Sequence, residues 1–411
     1  MSAPQFGMTF PRPQDEVVPA LGADFSKALI VETSEDASNT EFPVGVAKRF
    51  STSDTAAVEA LGTGMLKSYV QGINDQLDGL NSGADVTVVR VAEGVDTAAT
   101  AAAIADVLNG VSDIWSAVNA TSRIWVPGRT AWRPDMDTVN PVIAAIEANA
   151  GKSLAVAPVD VDDTSSANAT DAREGMSSER VMPIGVAARV WEGGSVVTRP
   201  MAPRIAGLMM RVDNDEGDGK PFEPFANRPI RGLAGLSRKI PFSLTDGSVE
   251  GQQMLASNVA IVAEGESGVD GAVAEGGYVF IGTDNATTGE LWEQIHQVRG
   301  TDYIQTQFLA ITKQFLGRKI HGDKVEAWIN SLAYALRDHQ ADGNILGYSP
   351  KTEMFKRDRN SPESIRLGHL TLEIGIEPAP VFKVAHHEIR RWRPAVEGLV
   401  NEIIQRLAAA A

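Results

Sequence analysis

Between residues 25 and 200 the chain alternates β-branched apolar runs with helix-patterned stretches, and this alternation restricts the fold more than any other feature. Val86-Thr-Val-Val-Arg-Val-Ala92 reads as a strand, the Ala-rich run after Thr97 as a helix, and Arg123-Ile-Trp-Val-Pro127 as a second strand. Pro141 to Ala148 is helical with Gly151 placed as its C-terminal cap, and Ser153 to Val159 is a further buried-type strand. Strands and helices in this order imply a parallel sheet covered by helices. Residues 161 to 180 are polar and turn-rich, which predicts an exposed loop before a strand over Ile184 to Trp191.

Residues 192 to 285 read as turns and short strands. Asp213 to Gly219 is one expected loop and Glu264 to Gly277, with five glycines, another; Asn258 to Val262 and Tyr278 to Ile281 are expected strands. The last third is helical at first. Ile304, Phe308, Ile311 and Phe315 mark one amphipathic helix; Val325, Trp328, Ile329, Leu332 and Leu336 mark a second, opened by Asp323-Lys-Val-Glu326 in capping-box order, and the two are expected to pair. Leu370, Leu372, Ile374 and Ile376 alternate as a strand, Val381 to Arg391 can form another, and Val396, Leu399, Val400, Ile403, Ile404 and Leu407 lie on one face of a closing helix. At the other end Phe6, Met8 and Phe10 alternate at the strand period between prolines, an arm that needs a sheet edge to join.

At 411 residues the chain has length for two or three domains, and 43% hydrophobic with 22% charged residues is an ordinary water-soluble balance. The formal charge of -16 makes nucleic acid a poor partner. That charge is unevenly placed: residues 1 to 300 hold 22 basic against 40 acidic residues, residues 301 to 411 hold 15 against 13. The final third therefore has the composition of a region facing a different partner. No cysteine is present, so disulfides and thiolate chemistry are excluded. No secretion signal and no run of 18 apolar residues occur, which reads as a cytoplasmic product without membrane insertion.

Catalytic motifs are absent. All six histidines fall between His296 and His387, so the α/β region has no His base or ligand, and adjacent His386 and His387 do not match metal-binding spacing. Gly151-Lys152-Ser153 precedes a strand, unlike a phosphate loop, and Ile146 replaces its first glycine. Gly62-Thr63-Gly64 follows a helical stretch and has Lys67 at the third glycine position of a dinucleotide fingerprint. Asp213, Asp215 and Gly217 miss the calcium-loop register, with Pro224 in place of the bidentate Glu. No catalytic, cofactor-binding or metal residue is assigned, and the expectation is a non-enzyme with no cofactor. Paired carboxylates leave no spacing signature, so an α/β hydrolase with an unrecognised carboxylate site is one alternative, and a monomeric adhesion module another.

Several segments together resemble the contractile tail sheath proteins of bacteriophages and related injection machines. They are Ala28 to Glu32 through Phe42-Pro43 to Leu61-Gly-Thr-Gly-Met-Leu66, Val86 to Gly94, Arg123 to Gly128, Pro224-Phe-Ala-Asn-Arg-Pro-Ile-Arg-Gly232, Tyr278 to Gly282, and the closing helix-helix-strand region. Their order, over nearly the whole chain, carries the resemblance. Ile281-Gly-Thr-Asp-Asn285 departs from the family's Trp-Gly-Asn-Arg-Thr-like sequence.

The resemblance implies an α/β domain similar to subtilisin but without its triad, followed by an α+β C-terminal domain, with extended arms at both ends. The expected boundaries are an arm over 1–24, the α/β domain with β-rich insertions over 25–285, a tube-facing α+β domain over 286–394, and a tail over 395–411. It also implies a helical homo-oligomer of stacked hexameric rings, the tail tube protein and baseplate and terminator proteins as partners, assembly in the host cytoplasm and a place in the virion tail. Tailocins and related injection systems share these properties. Strand exchange between subunits is expected to involve Phe6, Met8, Phe10, Leu370, Leu372, Ile374, Ile376 and Val381, and the tube side to present Lys313, Arg318, Lys319 and Lys324.

Overall fold

The computed structural model describes residues 22–77, 83–135, 138–287 and 289–409. The chain divides into two units at Ala379/Pro380. In the first, β1 (Lys27–Thr33), β3 (Asp85–Val91) and β4 (Ile124–Pro127) run parallel, with β2 (Ala47–Ser51) antiparallel on the outer edge, in the order β2-β3-β1-β4. Six of the seven residues in β1 and in β3 are buried, because helices cover both faces. A bridge from Ile124 to Val156 continues the layer into the parallel pair β5 (Ala157–Asp160) and β6 (Val181–Ile184).

Beyond β6 the chain adds two small antiparallel sheets. One is the hairpin β7 (Ala188–Glu192) and β8 (Ser195–Arg199) with β10 (Gly235–Leu236); the other is β9 (Arg228–Ile230), β11 (Ile261–Glu264) and β12 (Tyr278–Ile281). The covering helices are α1 (Thr55–Ala60), α2 (Met65–Asn74), α3 (Thr97–Asn109), α4 (Val111–Val118), α5 (Pro141–Asn149), α6 (Ser166–Glu174), α7 (Ala202–Asp215) and α8 (Glu250–Ala256). Local chemistry starts them: Asp96 accepts the Ala99 N–H to open α3, and Asn140 accepts the Val142 N–H at α5, where Pro141 takes the first position. Trp125, Leu29, Ile30, Phe42, Leu66 and Ile73 lie in one continuous core.

Several expectations are corrected here. The stretch 161–180 contains helix α6, which Ser165 caps by accepting the Asn168 N–H, and whose Ala169 and Ala172 are buried. The stretch 192–285 contains α7, the spine of this region. Pro203 and Gly207 blur its pattern, and Gly207 is needed because a Cβ there would lie 2.5 Å from the Ile73 carbonyl oxygen of α2. Asp213 is therefore in a buried helix, not a loop. Gly151 does not cap α5; the chain tightens into a 3-10 turn over Ala150–Ser153, and Leu154 takes the left-handed conformation. Asn258 is also left-handed, so its strand starts later, at Ile261. The strand placed over Ile184 to Trp191 is two strands in two sheets.

The remainder of the first unit has α9 (Ile295–Lys313) paired with α10 (Gly322–Ala341), then β13 (Ile345–Tyr348), α11 (Lys351–Met354), α12 (Pro362–Arg366) and β14 (Ile376–Pro378), which pairs with β13. It has its own packing: Phe222, Tyr303, Ile304, Leu336 and Met354 form one cluster, Ile311, Leu332 and Ala335 another. α10 begins after His321 without a side-chain cap, so Asp323 and Glu326 do not form the expected box. The second unit holds residues 380–392 without regular structure, then α13 (Arg393–Ala409). The expected strand over Val381 to Arg391 is not formed: these residues join no sheet ladder among the described residues, and a strand needs a neighbour to pair with.

Candidate assembly surfaces and the sheet switch point

The strand order β3-β1-β4-β5 places a change of winding direction between β1 and β4, and open α/β sheets bind ligands in the crevice outside the carboxyl ends at such a point. Here that crevice is filled by the protein. Glu32, next to last in β1, accepts the Thr33 N–H at 2.8 Å and lies 3.4 Å from Nε of Arg129, which follows β4; Arg129 Nη2 lies 3.1 Å from Glu93. Burial pushes the Glu32 carboxyl above its ordinary range.

Arg129 is held in the left-handed region, at φ 59°, by Asn140, whose Nδ2 donates to the carbonyls of Arg129, Thr130 and Trp132. Gly128 lets the Glu32 carboxylate lie on the backbone: a Cβ there would come within 1.5 Å of Oε2.

A second buried carboxylate, Asp160, ends β5 and accepts the N–H groups of Met201 (2.7 Å) and Ala202 (3.2 Å) at the start of α7. Burial raises its pKa to about 7. Each carboxylate thus organises backbone. A separate small cavity, lined by Thr130, Arg133, Asn140 and Met176, is about 40 Å³, room for about one water molecule. Among the described residues no group of three or more His, Asp or Glu side chains is arranged to hold a metal ion.

Two buried ion pairs tie α9 to the α/β layers. Arg180 meets Asp302 at 2.5 and 3.1 Å, and Arg299 meets Asp213. Neither pair was legible in the sequence, since partners 86 and 122 residues apart leave no local signal.

The residues expected at subunit contacts fall into different environments. Phe6, Met8 and Phe10 lie outside the described residues. Leu370, Leu372, Ile374 and Ile376 are half-buried and alternate with exposed neighbours, yet only Ile376 is in a strand. Leu372 and Ile374 pack against the Ile311–Leu332 cluster, and the backbone around them bonds to Met354 and Ser349 instead of a ladder. Val381 is half-buried. Lys313, Arg318, Lys319 and Lys324 are brought together: all four are exposed around the α9–α10 turn, and none makes an ion pair among the described residues.

A feature not found from the sequence is an open groove of about 480 Å³ beside that turn. Ile320, Val325, Ile329, Phe355, Ile365 and Leu370 line it. Val325 and Ile329 sit on the α10 stripe, but the opposite wall comes from separate segments. The closing helix carries the expected apolar stripe, and none of its described residues is buried.

This mixed α/β arrangement with several small sheets is similar to the fold of contractile sheath subunits. No protein-family model matches the chain. The chain is 23% identical over 301 residues, covering 71% of itself and 74% of the relative, to the "Putative prophage major tail sheath protein" of Pseudomonas aeruginosa (strain UCBPP-PA14). The helical sheath of the anti-feeding prophage in its contracted state aligns at TM-score 0.68 and 13% identity, over 95% of this chain and 100% of that one. The contracted sheath of an extracellular contractile injection system, PVC, aligns at TM-score 0.63 and 12% identity over 94% and 98%. The resemblance to contractile sheath proteins read in the sequence is thus matched by an independent relative and by the fold.

Proposed function

We propose that the chain is the structural subunit of a phage-type contractile tail sheath, which polymerises helically around an inner tube and contracts to drive that tube through a host envelope. The observation that carries this reading is full-length alignment to sheath subunits together with sequence similarity to a prophage tail sheath protein. Head-to-tail contacts that do not close generate a helical filament, and contraction repacks the bodies into a more stable lattice. The work comes from assembly energy stored in a kinetically trapped extended state, without a nucleotide. The protein acts in the virion tail, with tube, baseplate and terminator proteins as neighbours.

In this reading residues 25–285 are a subtilisin-like body without a triad, and 286–394 the domain that faces the tube. The exposed Lys313, Arg318, Lys319 and Lys324 cluster supports that orientation, since it is a cationic edge on a chain of net charge -16. The arm over 1–24 and the segment after Pro380 join neighbours by strand exchange, supported by the exposure of the apolar Phe382, Val384 and Ile389 in that segment. A tailocin or injection-system sheath is the second reading, favoured by the likeness to the anti-feeding prophage and PVC sheaths. A hydrolase finds no support at the filled switch point.

Electron microscopy of the purified full-length protein tests the proposal. Tubes with regular striations are expected. Discrete monomers or dimers at every salt and protein concentration, with or without a tube template, overturn it.

A further inference from the structure

We propose that His296 and Gln297, in the first turn of α9, clamp the carbonyls of Ala379 and Pro378, so that a pull on the segment beyond Pro380 passes through α9 into the α/β body and not into the β13–β14 ladder. His296 Nε2 lies 3.2 Å from the Ala379 oxygen, and Gln297 Nε2 donates to the Pro378 oxygen at 3.4 Å. A carbonyl can only accept, so Nε2 of the buried His296 carries the hydrogen. Without these contacts the exit is weak. β14 has three residues, pairs only with β13 among the described strands, and the register shifts between Ile345 and Gly347. A two-stranded sheet is marginal by itself. Pro378 and Pro380 have no N–H to give, and the one N–H between them, on Ala379, goes to the Asn344 carbonyl at 3.2 Å.

α9 is fastened far better. The Ile295 N–H that opens it donates to the Thr283 carbonyl at 2.9 Å, just beyond β12. Arg299 makes its paired contacts with Asp213 of α7, and Asp302 those with Arg180, which precedes β6. From His296 to Asp302 the helix rises only about 9 Å, so the clamp and both ion pairs follow one another at three-residue steps. Parting a buried guanidinium from its carboxylate leaves an uncompensated charge, which makes these contacts hard to open. Ladder bonds, by contrast, fray one at a time from a strand end. The clamp thus hands the last residue before the second unit to the best-anchored helix of the C-terminal region. It rests on the sheath reading for the pull alone, which arises where a subunit is joined to others through its second unit.

The absence of cysteine lets force be applied between two chosen points. Full-length protein carrying Ala102→Cys on α3 and Gln405→Cys on α13, both exposed positions, is held through DNA handles in optical tweezers. The second unit should extend first and the body should then rupture, with no step between. Adding His296→Leu with Gln297→Leu removes both donors, and an early step is expected at roughly half the rupture force. Its length should be about 17 Å, the five residues from Gly375 to Ala379. His296→Gln alone returns a side-chain N–H and should keep the parent trace. Gln297→Leu alone, at a half-buried site, should show the early step in more pulls than the parent and serves if the double variant does not fold. An early step already present in the parent, or absent from both Leu variants, overturns the clamp. Microscopy of the protein without handles separates the two readings: tubes with no early step in the Leu variants sink the clamp alone, whereas the early step without tubes sinks the sheath reading alone.

Discussion

Arg299 of α9 and Asp213 of α7 meet through two parallel contacts, Nη1 to Oδ1 at 3.0 Å and Nη2 to Oδ2 at 2.5 Å, and each side chain is only 1% exposed. The pair couples the helix that opens the C-terminal region to the helix at the centre of the α/β body. Burial raises the Asp213 carboxyl, opposed by the guanidinium. Arg299→Met leaves that carboxylate buried and unpaired, and a loss of about 3–5 kcal/mol in urea unfolding is expected. The double variant Arg299→Met with Asp213→Leu should recover most of it; equal losses in the single and double variants would show that packing, not charge pairing, dominates.

Asp160 sets a pH dependence. Its folded pKa is raised from 3.8 to about 7 by burial, opposed by the Met201 and Ala202 N–H groups. The folded state therefore binds the proton more tightly than the unfolded chain. This contribution is fully present below about pH 4 and is lost as pH rises through about 7. Between pH 5 and 8 the wild type should lose more stability than Asp160→Asn, by about 2–3 kcal/mol, read as the difference of urea midpoints. Parallel pH profiles for the two proteins would contradict the assignment.

His339 works in the opposite sense. Its Nε2 lies 2.7 Å from Gln307 Oε1, its ring packs 4.8 Å from Phe222, and burial, with Lys220 nearby, lowers its pKa from 6.5 to about 4. Asp342 and Asp338 partly offset this. The neutral ring's contribution is present above about pH 6.5 and is lost as pH falls through about 4. His339→Gln should flatten the loss of stability between pH 6.5 and 4, followed by thermal unfolding; an unchanged acid limb would remove His339 as its source.

Gly128 is open to a steric test. A Cβ there would collide with Glu32 Oε2 at 1.5 Å, in a site where Arg129 and Asn140 leave the loop no slack. Gly128→Ala should cost about 2–4 kcal/mol, and Gly128→Ala with Glu32→Ser should be less destabilised than the sum of the single changes. Additive losses in a double-mutant cycle would place the clash elsewhere.

Legibility followed the range of the interaction. Asp96 before Thr97, Pro141 after Asn140, and the apolar, β-branched runs Ala28–Val31 of β1 and Val86–Val91 of β3, the latter interrupted by Thr87 and Arg90, act within a few residues, so the sequence alone determined the helix-covered parallel strands and the amphipathic pair α9 and α10. The order of family-like segments also carried the sheath reading. Tertiary structure decided what had no local sign: α7, whose Gly207 is explained only by the Ile73 backbone against it; the switch-point cluster of Glu32, Glu93 and Arg129; and the groove that Ile329 and Ile365 share across two helices. Propensity and periodicity report on neighbours along the chain, whereas ion pairing and close backbone approach depend on segments that meet only after folding.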